Sequence, residues 1–315
     1  PSALDPSLYP LASEADRERA RKELDVPAKA EVLLHFGWHP YLKGTDIFLE
    51  VVRELVAAGR PVHAIVRGHE PVSVALAREL GIDSRVRFQP PVPDAATLFA
   101  AADVVVSTSR EEGMAYTVLE GLSTGTPVVA TAIPGHAYIG EQVEACRITS
   151  IRPDSLRRAI GAVLDDDSEV KAAQGEAAHD WIVDNLSVAA ISEQLMSLYR
   201  RELPTSSPGP SPRERTARRR TATPRVVQVA DYANAGGGSF IPMLAAACGA
   251  VSERGWRAEV VLPELAAGSP WLEPLEASGA EVRFAPEVGR DGIRRWLRDT
   301  AEDEGGSTIH HCHFT

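Results

Sequence analysis

Residues 111–131 read EEGMAYTVLEGLSTGTPVVAT. Two carboxylates, Glu112 and Glu120, are separated by seven residues. Gly113 follows the first, and a short apolar stretch carries the second. Gly125-Thr126-Pro127 then leads into the β-branched run VVAT. Ahead of the stretch lies ADVVVSTS (102–109), an apolar run of strand length. A strand, a loop with an acid, a helix with an acid and a second strand make a βα unit. Open parallel sheets bind ligands beyond the carboxyl ends of their strands. Glu112 is expected in the loop over that crevice, and Glu120 on the helix below it. A helix start offers free N–H groups and a favourable dipole to an anion. Carboxylates accept hydrogen bonds from sugar hydroxyls, so the pattern would suit a nucleotide-sugar. Two surface glutamates near a helix start explain the spacing equally well.

The same alternation extends on either side. EVLLHF (31–36), PVHAIVRG (61–68), RVRF (85–88), ADVVVSTS and TPVVAT (126–131) read as strands. Between them, 45–58, 71–80, 95–102 and 117–123 read as helices, with further helices around Leu156–Leu164 and Val188–Leu198. Such alternation implies a parallel sheet covered on both faces. Residues 203–224, LPTSSPGPSPRERTARRRTATP, are rich in proline and arginine and nearly devoid of large apolar side chains. That composition reads as a linker. Its arginines could meet anionic lipid or an acidic partner, although a solvated linker is the plainer account. Beyond it the alternation restarts with strands at 225–230, 258–262, 280–284 and 308–314, and helices at 240–254, 271–277 and 289–300. The expected organisation is a Rossmann-like α/β domain over 1–203, a linker over 204–224, and a partial second Rossmann-like domain over 225–315.

The chain has 315 residues and a formal charge of −11. That balance argues against nucleic-acid binding, which needs a basic face. Cys146, Cys248 and Cys312 are far apart and form no CxxC pair, so free thiols in a reducing compartment are expected. The longest uncharged stretch, Tyr232–Ser252, holds four glycines and Pro242. Its helical part is too short to span a bilayer.

Ser107–Thr131 resembles the signature of the retaining GT-B glycosyltransferases of the large group 1 family. Glu112, Glu120, Gly125, Pro127, Val128 and Val129 all match the pattern. HFGWHPYLKG (35–44), RVRFQPPV (85–92) and the closing LYRRE (198–202) extend the resemblance over about residues 1–201. By resemblance, Glu120 holds the donor's ribose hydroxyls, Glu112 contacts the transferred sugar, and Lys43 faces the diphosphate. Gly37, Trp38, Gly113, Met114 and Ala115 line the donor site. Trp38 stands where the family usually has an arginine, with Arg67 and Arg110 as candidate replacement cations. Ala115 stands where a second glycine is usual, and the glycine–glutamate loop after Pro134-Gly135 is shortened. ADYANAGGGSFIPML (230–244) resembles the glycine-rich acceptor-side loop of the same family, with Gly236, Gly237 and Gly238 near phosphate or acceptor. A tight turn alone would also explain that triplet. IHHCHFT (309–315) resembles the strand end with the family histidine, best matched by His313 and next by His311.

The resemblance implies a cytoplasmic enzyme that moves a sugar from a nucleotide diphosphate to an acceptor hydroxyl with retention, in cell-envelope or polysaccharide synthesis. The acceptor would be a carbohydrate, a lipid or a small molecule, with peripheral membrane contact allowed. No cofactor or essential metal is implied, and no nucleic-acid partner. The two domain types stand in the reverse of the family's order, so a fragment of a tandem enzyme is expected, weak or inactive alone. A nucleotide-sugar epimerase on this architecture and a non-catalytic sugar-nucleotide-binding module remain as alternatives.

Overall fold

The computed structural model describes residues 3–90, 95–202, 224–230, 240–285 and 308–313. The chain divides into two compact units, Leu4–Leu186 and Ser187–Thr315 with Pro1–Ala3.

The first unit is built on six parallel strands: β1 (Glu31–Phe36), β2 (Val62–Arg67), β3 (Val86–Gln89), β4 (Val104–Ser107), β5 (Val128–Thr131) and β6 (Cys146–Thr149). Their order is β3-β2-β1-β4-β5-β6. β1, β4 and β5 are apolar on both faces because both are covered, and their inner residues are buried. On one face Leu33, Val104, Val106 and Val129 pack with Phe48, Val52 and Leu55 of the helix Thr45–Ala57 and with Leu156 and Ile160 of the helix Pro153–Asp165. On the other, Phe36 stacks on Phe99 of the helix Ala96–Ala101, with centroids 5.2 Å apart. Each such side chain removed from water contributes about 1.5–3 kcal/mol, which fixes the sheet beneath its loops.

The second unit has four parallel strands: β7 (Arg225–Ala230), β8 (Arg257–Pro263), β9 (Glu281–Ala285) and β10 (Thr308–His313). Their order is β10-β7-β8-β9. The helix Phe240–Glu253 packs against β8 and buries Ile241, Leu244, Cys248 and Val251. The helix Val188–Glu202 packs against Phe240–Glu253. Gln228 Nε2 donates to the Tyr199 hydroxyl at 2.9 Å, and that hydroxyl is hydrogen-bonded to His311 Nδ1 at 2.7 Å. The unit boundary therefore falls at 186/187, not at 203 as the composition of the proline-rich segment suggests. Val188–Glu202 packs on Phe240–Glu253, and its Tyr199 reaches Gln228 of β7 and His311 of β10. The segment 204–223, the triplet Gly236–Gly238 and the helix expected at 289–300 lie outside the described residues. Among the described residues, no helix is long and apolar enough to cross a membrane.

Candidate functional site

The strand order of the first unit reverses between β1 and β4, the position where open α/β sheets leave a crevice. Backbone pairing of these strands covers Leu33↔Val104 and Leu34↔Val105. Past that point the His35 side chain spans the gap. Its Nδ1 donates to the Val106 carbonyl at 2.9 Å, and Nε2 accepts from the Thr45 hydroxyl at 3.0 Å. The ring stacks on Phe48 with centroids 4.5 Å apart. Full burial pushes its pKa down to about 4, which suits the neutral ring that these bonds require.

The loop leaving β1 runs through Gly37, Trp38 and His39 into the short helix Pro40–Lys43. Gly44 has φ +66°, and a Cβ there would overlap the Thr108 carbonyl oxygen. Only glycine permits this approach. It lets the Thr108 hydroxyl donate to the carbonyls of Lys43 and Gly44 at 3.0 and 2.8 Å. The Arg110 amide donates to the Leu42 carbonyl at 2.8 Å. The exits of β1 and β4 are thus stitched together. Across the seam the Lys43 ammonium meets the Glu112 carboxylate, both largely buried. The Ser109 hydroxyl donates to Glu112 Oε1 at 3.0 Å.

Trp38 lies between two cations. Lys43 Nζ is 5.6 Å and Arg67 Cζ 5.5 Å from its ring centroid, within cation–π range. The tryptophan thus stands beside positive charge rather than supplying it. Arg110 is engaged elsewhere: it forks onto Asp46 at 2.9 and 2.7 Å.

The loop leaving β4 carries Gly113, which is exposed with open space around it, and half-buried Met114. Buried Ala115 precedes the helix Tyr116–Ser123, whose start has no side-chain cap. Glu120 lies in its second turn and is only 6% exposed. The adjoining helix Pro134–Gly140 presses on this loop, since a Cβ on Gly135 would overlap the Glu112 carbonyl oxygen.

Gly37, Trp38, Lys43, Glu112, Gly113, Met114 and Ala115 therefore gather on two loops at one sheet reversal, with Glu120 on the helix that follows. His313 ends β10 in the second unit, paired with Ala230. His311 is committed to Tyr199, and burial lowers its pKa. Sequence reasoning missed His35, Ser109 and His136. A lone histidine in EVLLHF and consecutive hydroxyls in STS were the available signals. Among the described residues, no group of three or more His, Cys, Asp or Glu side chains could hold a metal ion.

The fold and crevice define a Rossmann-like α/β unit with an open parallel sheet. Residues 30–166 match the family described as "Glycosyl transferases group 1". Over those residues the chain is similar to the group 1 glycosyltransferases, a family of transferases. The chain is 30% identical over 220 residues to a D-inositol 3-phosphate glycosyltransferase of Corynebacterium efficiens, covering 66% of this chain and 52% of the relative. It is 33% identical over 225 residues to one from Corynebacterium urealyticum, covering 67% and 52%. The chain thus spans about half the length of these curated relatives. Among solved structures, HepE of Anabaena in complex with UDP-glucose is similar at TM-score 0.56 and 25% identity, over 63% of this chain and 56% of that one.

Proposed function

We propose that Leu4–Leu186 binds the nucleotide-diphosphate sugar of a retaining glycosyltransferase. The acceptor hydroxyl would be brought by a facing domain of the type that begins at β7. The observation that carries this reading is the Lys43–Glu112 pair, placed on the two loops that meet where the strand order reverses. On donor binding, Lys43 exchanges Glu112 for the diphosphate, a compact cation suited to a phosphate. Glu112, so released, accepts from hydroxyls of the transferred sugar. Glu120 holds the ribose hydroxyls. The uncapped start of Tyr116–Ser123 adds N–H groups to the leaving diphosphate. Charge on the leaving group is met by Lys43, with Arg67 beside it against Trp38, so the reading needs no metal. His313 would position sugar or acceptor. The relatives' name, D-inositol 3-phosphate glycosyltransferase, and the UDP-glucose bound to HepE support a nucleotide-sugar donor.

Calorimetric titration of the chain with UDP, GDP and ADP tests the donor site. One nucleotide is expected to bind saturably. Glu120→Ala is expected to weaken it tenfold or more, the scale of about 1.4 kcal/mol for lost hydrogen bonds to a carboxylate. Equal affinity in the variant would refute the assignment of Glu120.

A further inference from the structure

A line of polar side chains runs from the buried His136 to Glu112. His136 is the third residue of the helix Pro134–Gly140 and is fully buried. Its Nδ1 is 2.9 Å from the Thr131 carbonyl oxygen. A carbonyl only accepts, so Nδ1 carries a proton. In the neutral ring Nε2 then accepts, and the Ser107 hydroxyl 3.2 Å away donates to it. The Ser109 hydroxyl is committed to Glu112 Oε1. The oxygens of Ser107 and Ser109 are 3.5 Å apart, and with both protons spent elsewhere neither has one for the other. The line is cut at that point. A second proton on His136 reverses this. Nε2–H donates to Ser107, Ser107 to Ser109, and Ser109 to Glu112. Every donor in the line then points toward the carboxylate, and hydrogen bonds so aligned strengthen one another.

We propose that His136 is a positioning residue that, through Ser107 and Ser109, sets how firmly Glu112 is held in its resting place against Lys43. This rests on the donor-site reading above, in which Glu112 must turn to the sugar. With His136 neutral, Ser109 holds Glu112 without reinforcement and the carboxylate is free to turn. With His136 protonated, the aligned line holds it back. Burial lowers the pKa of His136, with Glu112 acting to raise it and Lys43 to lower it. Tyr138 and Glu141 are the other titratable groups on and just after its own helix. The change therefore falls below the ordinary histidine value of 6.5.

Two measurements on the full chain test this. In the first, the affinities for UDP and UDP-glucose are compared from pH 5 to 8. The preference for UDP-glucose is expected to fall severalfold on acidification in the native chain. It is expected to stay flat in Ser107→Ala, while the UDP affinity of that variant stays within twofold of native. A Ser107→Ala variant that follows the native pH profile, or a flat native profile, overturns the proposal. In the second, the imidazole nitrogens are followed by NMR, which needs no ligand. His136 is expected as the Nδ1–H tautomer at neutral pH. Its titration midpoint is expected to move to lower pH in Glu112→Gln, because a carboxylate that favours the imidazolium has been removed. An unmoved midpoint, or the opposite tautomer, also overturns it. Failure of UDP to bind at any pH defeats the donor reading itself, and the NMR result then shows separately whether His136 and Glu112 are linked.

Discussion

Gly44 shows how one residue fixes the site. Its positive φ and its approach to the Thr108 carbonyl oxygen exclude any side chain. Gly44→Ala is expected to lower stability by about 2 kcal/mol or more, from backbone strain and forced separation of the two loops. Urea unfolding measures the loss, and nucleotide binding should weaken with it because Lys43 and Glu112 move apart. A variant as stable as the native chain would show that the loops relax freely. This position was legible in the sequence as part of the Lys43-Gly44 match. The setting of Trp38 was not. Its role depends on Arg67, which is remote in sequence and neighbours Phe36 only through the β1–β2 register. Ser109 was equally hidden, because a serine in a strand exit has no signature until its carboxylate partner is placed.

At the scale of elements, β1 emerged with the boundaries that its apolar run implies, and β2, β4 and β5 within two residues at each end. β6 was missed. It has only four residues, and Arg147 and Thr149 interrupt its apolar character. The helix Ser168–Leu186 was missed for a different reason. It packs through small residues, with Gly175 set directly against the Gly125 backbone, so it shows little apolar periodicity. Glu14–Glu23 is almost wholly charged and buries only Ala20. Two elements carry buried histidines, and this makes stability depend on pH. His35 has its pKa lowered to about 4 by burial, and His136 is lowered in the same direction for the same first reason. As pH falls below about 6.5, the unfolded chain takes up these protons and the native chain does not. Stability is therefore complete above about 6.5 and is lost on acidification toward about 4. Urea midpoints between pH 7.5 and 4.5 should fall, and His35→Asn should fall less steeply from its own starting value. The exposed Asp154 and Asp165, held low by hydrogen bonds from Arg157 and Arg60, act only below their ordinary 3.8. They leave this window clear. Thiol chemistry is set by elements too. Cys146 and Cys248 are buried, and burial pushes both thiols up to about 12. Thiolate is the reactive form, so iodoacetamide should label both residues only after denaturation. Rapid labelling of either in the native chain would contradict its burial.

At the scale of the molecule, the alternation of strands and helices revealed two α/β sheets, but composition misplaced the boundary between the units. A proline- and arginine-rich stretch resembles a spacer wherever it lies. What decides membership is the hydrogen-bonded triad of Tyr199, Gln228 and His311, which only a folded sheet brings together. A chain of residues 187–315 should therefore behave as a packed unit. One of residues 204–315 lacks Tyr199, leaves Gln228 and His311 without that partner, and bares a face of Phe240–Glu253. Stronger fluorescence of a hydrophobic dye with the shorter chain is the expected result. Equal fluorescence would show that the helix is dispensable.

The same docking bears on what a covalent break would do. Residues 203–223 separate two parts of one unit in sequence, not two units. If a protease site placed there were cut, the amino-terminal piece would keep hold of the carboxyl-terminal one through Val188–Glu202. The pieces would migrate together on gel filtration and separate only in denaturant, so cleavage at the segment most like a hinge would leave the particle whole.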